Sequence, residues 1–295
     1  MKVYVSGGTG FVGSHVVREL RDRGAEVCHE RVDLLDREGL ARAIQGCDAV
    51  VHVAALYSYE ADPAEIERVN VEGTRTLVEA ARHAQVRRFV FTSTAGTCGP
   101  VCGRDATEED DPPSWELEVP YKRTKLEAET LAREAGAVVV NPTAPIGEGD
   151  RKPTPTGRMV AGVAAGRIRA YVPTTGLNVV DVRDVARGHA LALERGRPGD
   201  RYLLGGVNLP LGELFAAIAD LAGRSRPRLR VPYAVAVAAA GAGFANRDEV
   251  RLARLPMYFS STKAETELGY RPGPVEPALA RAVSEALSVN GRGAG

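Results

Sequence analysis

At 295 residues the chain has room for one large domain or two coupled ones. Hydrophobic residues make up 44% and charged residues 26%, the balance of a globular protein rather than a disordered one. The 38 Lys and Arg residues match 38 Asp and Glu, so the formal net charge is zero and a nucleic-acid partner is not expected.

Residues 1–6 read as a short strand, with Val3 and Val5 apolar. Glycines follow at 7, 8, 10 and 13, and from Phe11 to Arg23 the positions Val12, Val16, Val17 and Leu20 recur at helical spacing. Strand, glycine turn and helix form the context in which a turn cradles the phosphates of a dinucleotide. Gly7 can adopt backbone angles that a Cβ forbids. Gly10 admits the pyrophosphate to the main chain, and Gly13 lets the helix pack close. Phe11 and Val12 open the helix whose free N–H groups would face the anion.

Glu26 to Glu30 reads as a second strand. Counting from Gly24 puts Arg31 at its end, where an acid would take the ribose hydroxyls of NAD and an arginine suits the 2′-phosphate of NADP. Glu30 is adjacent, and a one-residue shift reverses that inference. The expected cofactor is therefore NADP(H), favoured over NAD(H). Leu40 to Ile44 sits on a short helix ending at Gly46, and Ala49 to Val53 is apolar enough for a strand buried on both faces. Residues 64–84 read as one helix, and Phe89 to Thr92 as the next strand.

Four cysteines fit a reduced cytoplasmic protein better than a disulfide framework. Cys98 and Cys102 are half of a metal-ligand pattern that nothing nearby completes, so no metal is expected.

Tyr121 to Glu134 reads as a helix and Ala137 to Val140 as a strand. Tyr121 and Lys125 lie four apart, on one helix face. A carbonyl that receives a hydride at carbon needs a proton at oxygen. A free phenol has a pKa of about 10. A lysine ammonium one turn away is expected to lower it and suit Tyr121 to general acid/base work. Lys125 could also bond the cofactor ribose. Thr94 ends the preceding strand at the carboxyl edge, where open α/β sheets bind ligands. It is the expected holder of the substrate oxygen, with Ser93 as the near alternative.

Beyond Asn141 the texture changes. Gly147 to Gly157 is a loop rich in Gly, Pro and Thr, followed by a helix over 159–165, a strand over 178–182 and helices over 185–194 and 211–222. The most apolar run, Tyr233 to Ala245, is too short to span a bilayer. It reads as a close-packed helix, and no membrane insertion is expected. Strands alternating with helices predict a Rossmann-type α/β fold, a doubly wound parallel sheet with a smaller C-terminal substrate-binding lobe. The expected division gives 1–146 with about 178–200 to the dinucleotide-binding domain. Residues 147–177 and 201–290 form the lobe, and 291–295 a disordered tail.

The chain resembles the extended short-chain dehydrogenase/reductases, which include nucleotide-sugar epimerases, dehydratases and dihydroflavonol-4-reductases. The marks are the Gly7–Gly13 turn, Asp33-Leu34, His52-Val53-Ala54-Ala55, Asn70 to Thr74, Thr92-Ser93-Thr94-Ala95, Tyr121 with Lys125, and Asn141-Pro142-Thr143. Residues 152–157, Tyr202 to Gly206 and Phe259-Ser260-Ser261 are similar to the hopanoid-associated sugar epimerase subgroup. The resemblance implies that Asp33 and Leu34 contact adenine and that Ala54 and Ala55 pass close to the pyrophosphate and ribose. It further implies that Pro142 and Thr143 border the nicotinamide, and that Thr94, Tyr121 and Lys125 form the catalytic set. Asn70 would brace the helix near Lys125. Sugar 4,6-dehydratases place Asp-Glu straight after the catalytic Thr. Here Ala95-Gly96 follows, which disfavours water elimination.

The expected activity is reversible hydride transfer at a secondary alcohol or ketone of a small molecule. A nucleotide-sugar epimerase with retained cofactor is the alternative, and a non-catalytic dinucleotide sensor a third reading. Tyr57, Lys152 and Arg158 are candidate substrate contacts. Members of this superfamily often pair helices in dimers, so a homodimer is compatible with the resemblance.

Overall fold

The computed structural model describes residues 1–57, 61–243 and 246–292. Its large sheet has six parallel strands. These are β1 (Lys2–Ser6), β2 (Glu26–Cys28), β3 (Ala49–His52), β4 (Arg88–Thr92), β5 (Val138–Pro142) and β9 (Arg201–Leu204), in the order β2-β1-β3-β4-β5-β9. The order reverses at β1, which pairs with β2 on one side and β3 on the other. Such a reversal opens a crevice at the carboxyl ends of the strands. β3 is buried at every position, as its unbroken apolar run predicts.

Helices α1 (Phe11–Asp22), α2 (Arg37–Ile44), α3 (Pro63–Glu67), α4 (Gly73–His83), α5 (Pro120–Glu134) and α7 (Val182–Arg195) cover the two faces. Val16, Val17 and Leu20 of α1 join Val185, Ala186 and Leu193 of α7 in one core with Val3, Val5 and Val51. The helix expected over 64–84 is broken by a π turn at Arg68–Glu72, which carries the buried Asn70.

A smaller lobe holds a three-stranded sheet, β10 (Val207–Pro210), β8 (Gly176–Asp181) and β6 (Ala144–Ile146), packed against α6 (Pro155–Ala164), α8 (Leu211–Leu221) and α11 (Glu276–Arg292). Leu279 and Val283, four residues apart, mark the inward side of α11, and Val275 packs beside them from just before its start. A two-stranded ribbon pairs β7 (Ala170–Tyr171) with β11 (Leu229–Arg230). Helices α9 (Tyr233–Gly241) and α10 (Arg247–Leu252) follow it.

Three expectations are corrected. Residues 201–204, expected in the lobe, form the outer strand of the large sheet beside β5. Residues 178–181, expected in the large unit, belong to β8 of the small sheet. The cause is the crossover through α7, which packs on α1 and the large sheet before the chain returns to β5. The run from Tyr233 is helical to Gly241, but it is not close-packed: only Ala240 is buried. Its residues 244 and 245 lie outside the described residues. α11 continues to Arg292, into the expected tail, and 293–295 lie outside the described residues.

Charge ties α7 to the smaller lobe, since Arg183 donates to Glu148 at 2.6 Å. Arg281 on α11 donates to Glu148 (2.6 Å) and to Asp181 (2.5 Å), which also caps α7 through the Arg183 N–H.

Candidate active site

The turn after β1 has no spare room. Gly7 adopts φ +69°, and a Cβ there would meet the Ala54 backbone at 2.8 Å. A Cβ on Gly13 would strike the Gly7 carbonyl oxygen at 2.1 Å. Loop 53–55 and α1 therefore close on the turn only because these positions are glycine. Helices α2, α6 and α7 have side-chain caps from Asp36, Thr154 and Asp181. Helix α1 begins at Gly10 with none, so its first N–H groups remain available for an anion.

Buried polar atoms left without a protein partner point the same way. His29 Nδ1, Ser93 Oγ and Thr143 Oγ1 lie just past the carboxyl ends of β2, β4 and β5. A buried polar atom without a partner is costly, so three along one edge favour a ligand there. The residues present thus fit a dinucleotide.

His29 is absent from the sequence expectations because β2 ends at Cys28 instead of 30. Its Cβ would lie 2.6 Å from a Cβ built on Gly8, so it packs on the glycine turn. Arg31 lies three residues past the strand, exposed, in irregular chain. Asp33 turns its carboxylate onto the Leu35 N–H (3.0 Å), and Leu34 is buried beneath Gly73. Phe11 and Val12 are half-buried at the start of α1, and Ala55 is exposed beside Ala54.

A polar chain braces this edge. Ser6 Oγ meets His52 Nδ1 (2.7 Å), and His52 Nε2 meets Thr74 Oγ1 (3.1 Å). Asn70 accepts from the Leu56 N–H (2.8 Å) and donates to the Leu56 carbonyl and to Thr124 on α5. Asn70 therefore fastens loop 53–57 to the helix that carries Tyr121 and Lys125. Burial, with the nearby Lys125 cation, pulls the His52 pKa down to about 3 and keeps the ring neutral.

Thr94 and Tyr121 both line one cavity of about 510 Å³ between the sheets. Tyr57, Gly96, Lys122, Thr143 and Arg158 line it too. The remaining wall is largely apolar, with Met159, Ile168, Leu177, Phe215, Leu252, Met257 and Phe259. The Tyr57 ring stacks on Tyr121, centroids 4.3 Å apart and planes 27° apart. Lys152 is exposed and is not among the lining residues, so that candidate is corrected: it points from the loop before α6 into solvent. Pro142 is buried at the end of β5.

The two cations in the wall are already matched. Lys122 pairs with the fully buried Glu116 at 3.2 Å, and Arg158 with Glu249 at 3.6 Å. Burial raises the Glu116 pKa and the Lys122 charge opposes that. A Cβ on Gly96 would fall 1.9 Å from the Lys122 Nζ, so Gly96 makes the space for this ammonium.

The expected tuning of Tyr121 is also corrected. Burial, then the Tyr57 hydroxyl, pushes its pKa up, and Lys125 is not among the causes. Lys125 is itself buried. Its Nζ donates to the Thr92 carbonyl at 2.6 Å and lies 4.4 Å from the centre of the Phe91 ring. Burial lowers its pKa to about 7. Desolvation thus outweighs the pairing that helical spacing suggested.

The turn carrying Thr94 is held by a buried network. The Thr94 carbonyl accepts from Thr97 Oγ1 (2.8 Å) and Asn141 Nδ2 (3.2 Å). Both donors also bond Glu129, at 2.6 and 2.9 Å, one turn beyond Lys125 on α5. Glu129 was not singled out from sequence, because its partners lie 12 to 72 residues away.

Comparison with known proteins gives a consistent picture. The model of the NAD dependent epimerase/dehydratase family matches residues 3–205. A relative from Synechocystis sp., provisionally named dihydroflavonol 4-reductase, is 36% identical, covering 95% of this chain and 93% of its own. Sterol demethylase protein B of Methylococcus capsulatus is 34% identical, covering 79% of this chain and 78% of its own. The crystal structure of a nucleoside-diphosphate-sugar epimerase from Pseudomonas aeruginosa superposes with TM-score 0.84 at 28% identity, covering 99% of this chain and 98% of that one.

Proposed function

The chain belongs to the NAD dependent epimerase/dehydratase family, among the extended short-chain dehydrogenase/reductases, and from that premise we propose that it reduces a ketone on an apolar small molecule. The observation that carries this reading is the placing of Thr94 and Tyr121 in the wall of a largely apolar cavity. The large-sheet unit would hold the nucleotide and the smaller lobe the substrate.

Gly7, Gly10 and Gly13 with the start of α1 would seat the pyrophosphate, loop 53–55 would flank it, and Thr143 would border the nicotinamide. When bound, the reduced nicotinamide supplies the hydride. Thr94 would hold the substrate oxygen by its hydroxyl, and Tyr121 would donate a proton to that oxygen. A buried phenol with a raised pKa stays protonated at neutral pH, which suits it as the acid in reduction. An alkoxide forming on the substrate is a stronger base than the phenolate left behind. Lys125, anchored on the Thr92 carbonyl, would reach the cofactor ribose beside Tyr121.

Nucleotide-sugar epimerisation is the second reading, supported by the likeness to the Pseudomonas aeruginosa epimerase structure. A sugar diphosphate needs unmatched cations, and both cavity cations have carboxylate partners. Absorbance of the reduced nicotinamide separates the two. Stoichiometric NADPH oxidation by apolar ketones, with no interconversion of nucleotide sugars, is the expected result. Epimer exchange without net oxidation would reverse the assignment.

Arg31 and His29 past β2 favour NADP(H). Fluorescence titration is expected to show NADPH bound at least about tenfold more tightly than NADH, the scale of one charge-assisted phosphate contact. Arg31→Ser should erase most of that ratio. Equal affinities in the parent protein would assign the pocket to NAD(H).

A further inference from the structure

We propose that the segment 221–243 seats the protein on an anionic lipid bilayer, beside the mouth of the apolar cavity. The segment is out of keeping with a soluble surface. Leu221, Leu229, Val235 and Val237 are 47%, 62%, 55% and 46% exposed. Helix α9 is built almost wholly of Ala and Val and is apolar all round, yet only Ala240 is buried. A helix apolar on every side belongs in a core or against lipid. Nine residues cannot span a bilayer, which takes about 20. The helix itself has no polar face, so it could only dip into the acyl boundary of one leaflet, with the arginines that precede it supplying the headgroup contacts.

Charge selects the occupant. Arg224, Arg228 and Arg230 stand exposed along the approach to α9 with no ion-pair partner among the described residues, whereas Arg226 is paired with Asp220 of α8, and 221–243 itself contains no acidic residue. A two-fold contact between copies of this face would bring two sets of these arginines onto one interface, with no acidic residue of the segment to offset them. A nucleic acid would leave the exposed valines and leucines unused. A bilayer with anionic headgroups satisfies both halves, with phosphates for the guanidinium groups and acyl chains for the apolar side chains.

Position gives the surface its use. β11, within the segment, pairs with β7, whose Ala170 and Tyr171 line the cavity. Helix α10, which packs on α9, lends Glu249, Val250 and Leu252 to the same wall. An apolar substrate dissolved in the membrane would thus meet the cavity where the protein touches lipid. That use rests on the apolar-ketone reading, whereas the docking itself does not.

Co-sedimentation with phosphatidylcholine vesicles, with and without phosphatidylglycerol, tests the proposal. Binding is expected only with phosphatidylglycerol and is expected to weaken with added salt. Arg224→Gln with Arg228→Gln should weaken it roughly thirtyfold, from about 1 kcal/mol per basic side chain at such a surface. Val235→Asp with Val237→Asp should abolish it. Both double variants should turn over a water-soluble ketone at the parental rate, which separates failure of docking from failure of the catalytic assignment. Equal binding to both vesicle types, no binding to either, or a dimer in ultracentrifugation that Val235→Asp with Val237→Asp dissolves would overturn the proposal.

Discussion

Replacing Tyr121 with phenylalanine is expected to lower kcat for ketone reduction roughly 10²–10⁴-fold, the contribution of a positioned general acid. The substitution removes one oxygen and keeps the ring. The stack on Tyr57 survives, so the cavity wall keeps its shape. Affinity for the reduced nucleotide, held mainly at the glycine turn and loop 53–55, should change little. The raised pKa adds a signature. In the parent protein the buried phenol remains protonated well above neutral pH, so its own ionisation should leave no step in kcat there. A Tyr121→Phe enzyme with the parental rate would remove this hydroxyl from the proton transfer and leave Thr94 or a water as the donor.

Lys125→Met should stabilise the ligand-free protein at pH 6 while impairing turnover. The ammonium titrates near its ordinary 10.5 in the unfolded chain and near 7 in the fold, where burial penalises the charge. Between these values the unfolded state binds a proton that the native state lacks, so stability rises with pH across that window. Below about pH 7 the whole penalty is present, up to about 5 kcal/mol at roughly 1.4 kcal/mol per pKa unit. Methionine fills similar space without the charge but loses the bond to the Thr92 carbonyl, worth about 1.5–3 kcal/mol with a charged donor. The gain over the parent should therefore be largest at pH 6 and close toward pH 10. His52 titrates between about 3 and 6.5, a window that includes pH 6, but its contribution is common to parent and variant and largely cancels in their difference. Urea unfolding at pH 6, 8 and 10 measures it. A stability difference independent of pH would mean that Lys125 keeps its proton in the fold.

Features written in local pattern were legible. The glycine turn, the buried runs of β3 and β4, and the four-residue spacing of Tyr121 and Lys125 each depend on neighbours in sequence. Short strands such as β6 and β10 have no such signature, since three or four residues of mixed polarity read as loop. The charge state of Tyr121 was misjudged for a physical reason. Spacing reveals that Lys125 shares its helix face, but not that both groups are stripped of water or that the amine is turned onto Thr92. Lys122 illustrates the same limit. Beside Tyr121 in sequence it looks like a solvated lysine, and only the fold brings Glu116 and the open space at Gly96 against it. Helix α9 shows the converse, because its apolar composition suggested a core position that the fold does not provide.

The placement of Arg201 bears on how the nascent chain matures. Its guanidinium is buried and donates to the carbonyls of Thr97, Glu108 and Asp110 and to Glu129. The stretch between β4 and α5 is thus clamped by a residue made about a hundred positions later. On the ribosome β5 stays an open edge until β9 pairs with it, and α1 stays bare on the face that α7 later covers. Both the packing of α1 and the fastening of the turn after β4 therefore wait for the second half of the chain. A chain released before β9 is added would lack the fastening of the stretch between β4 and α5.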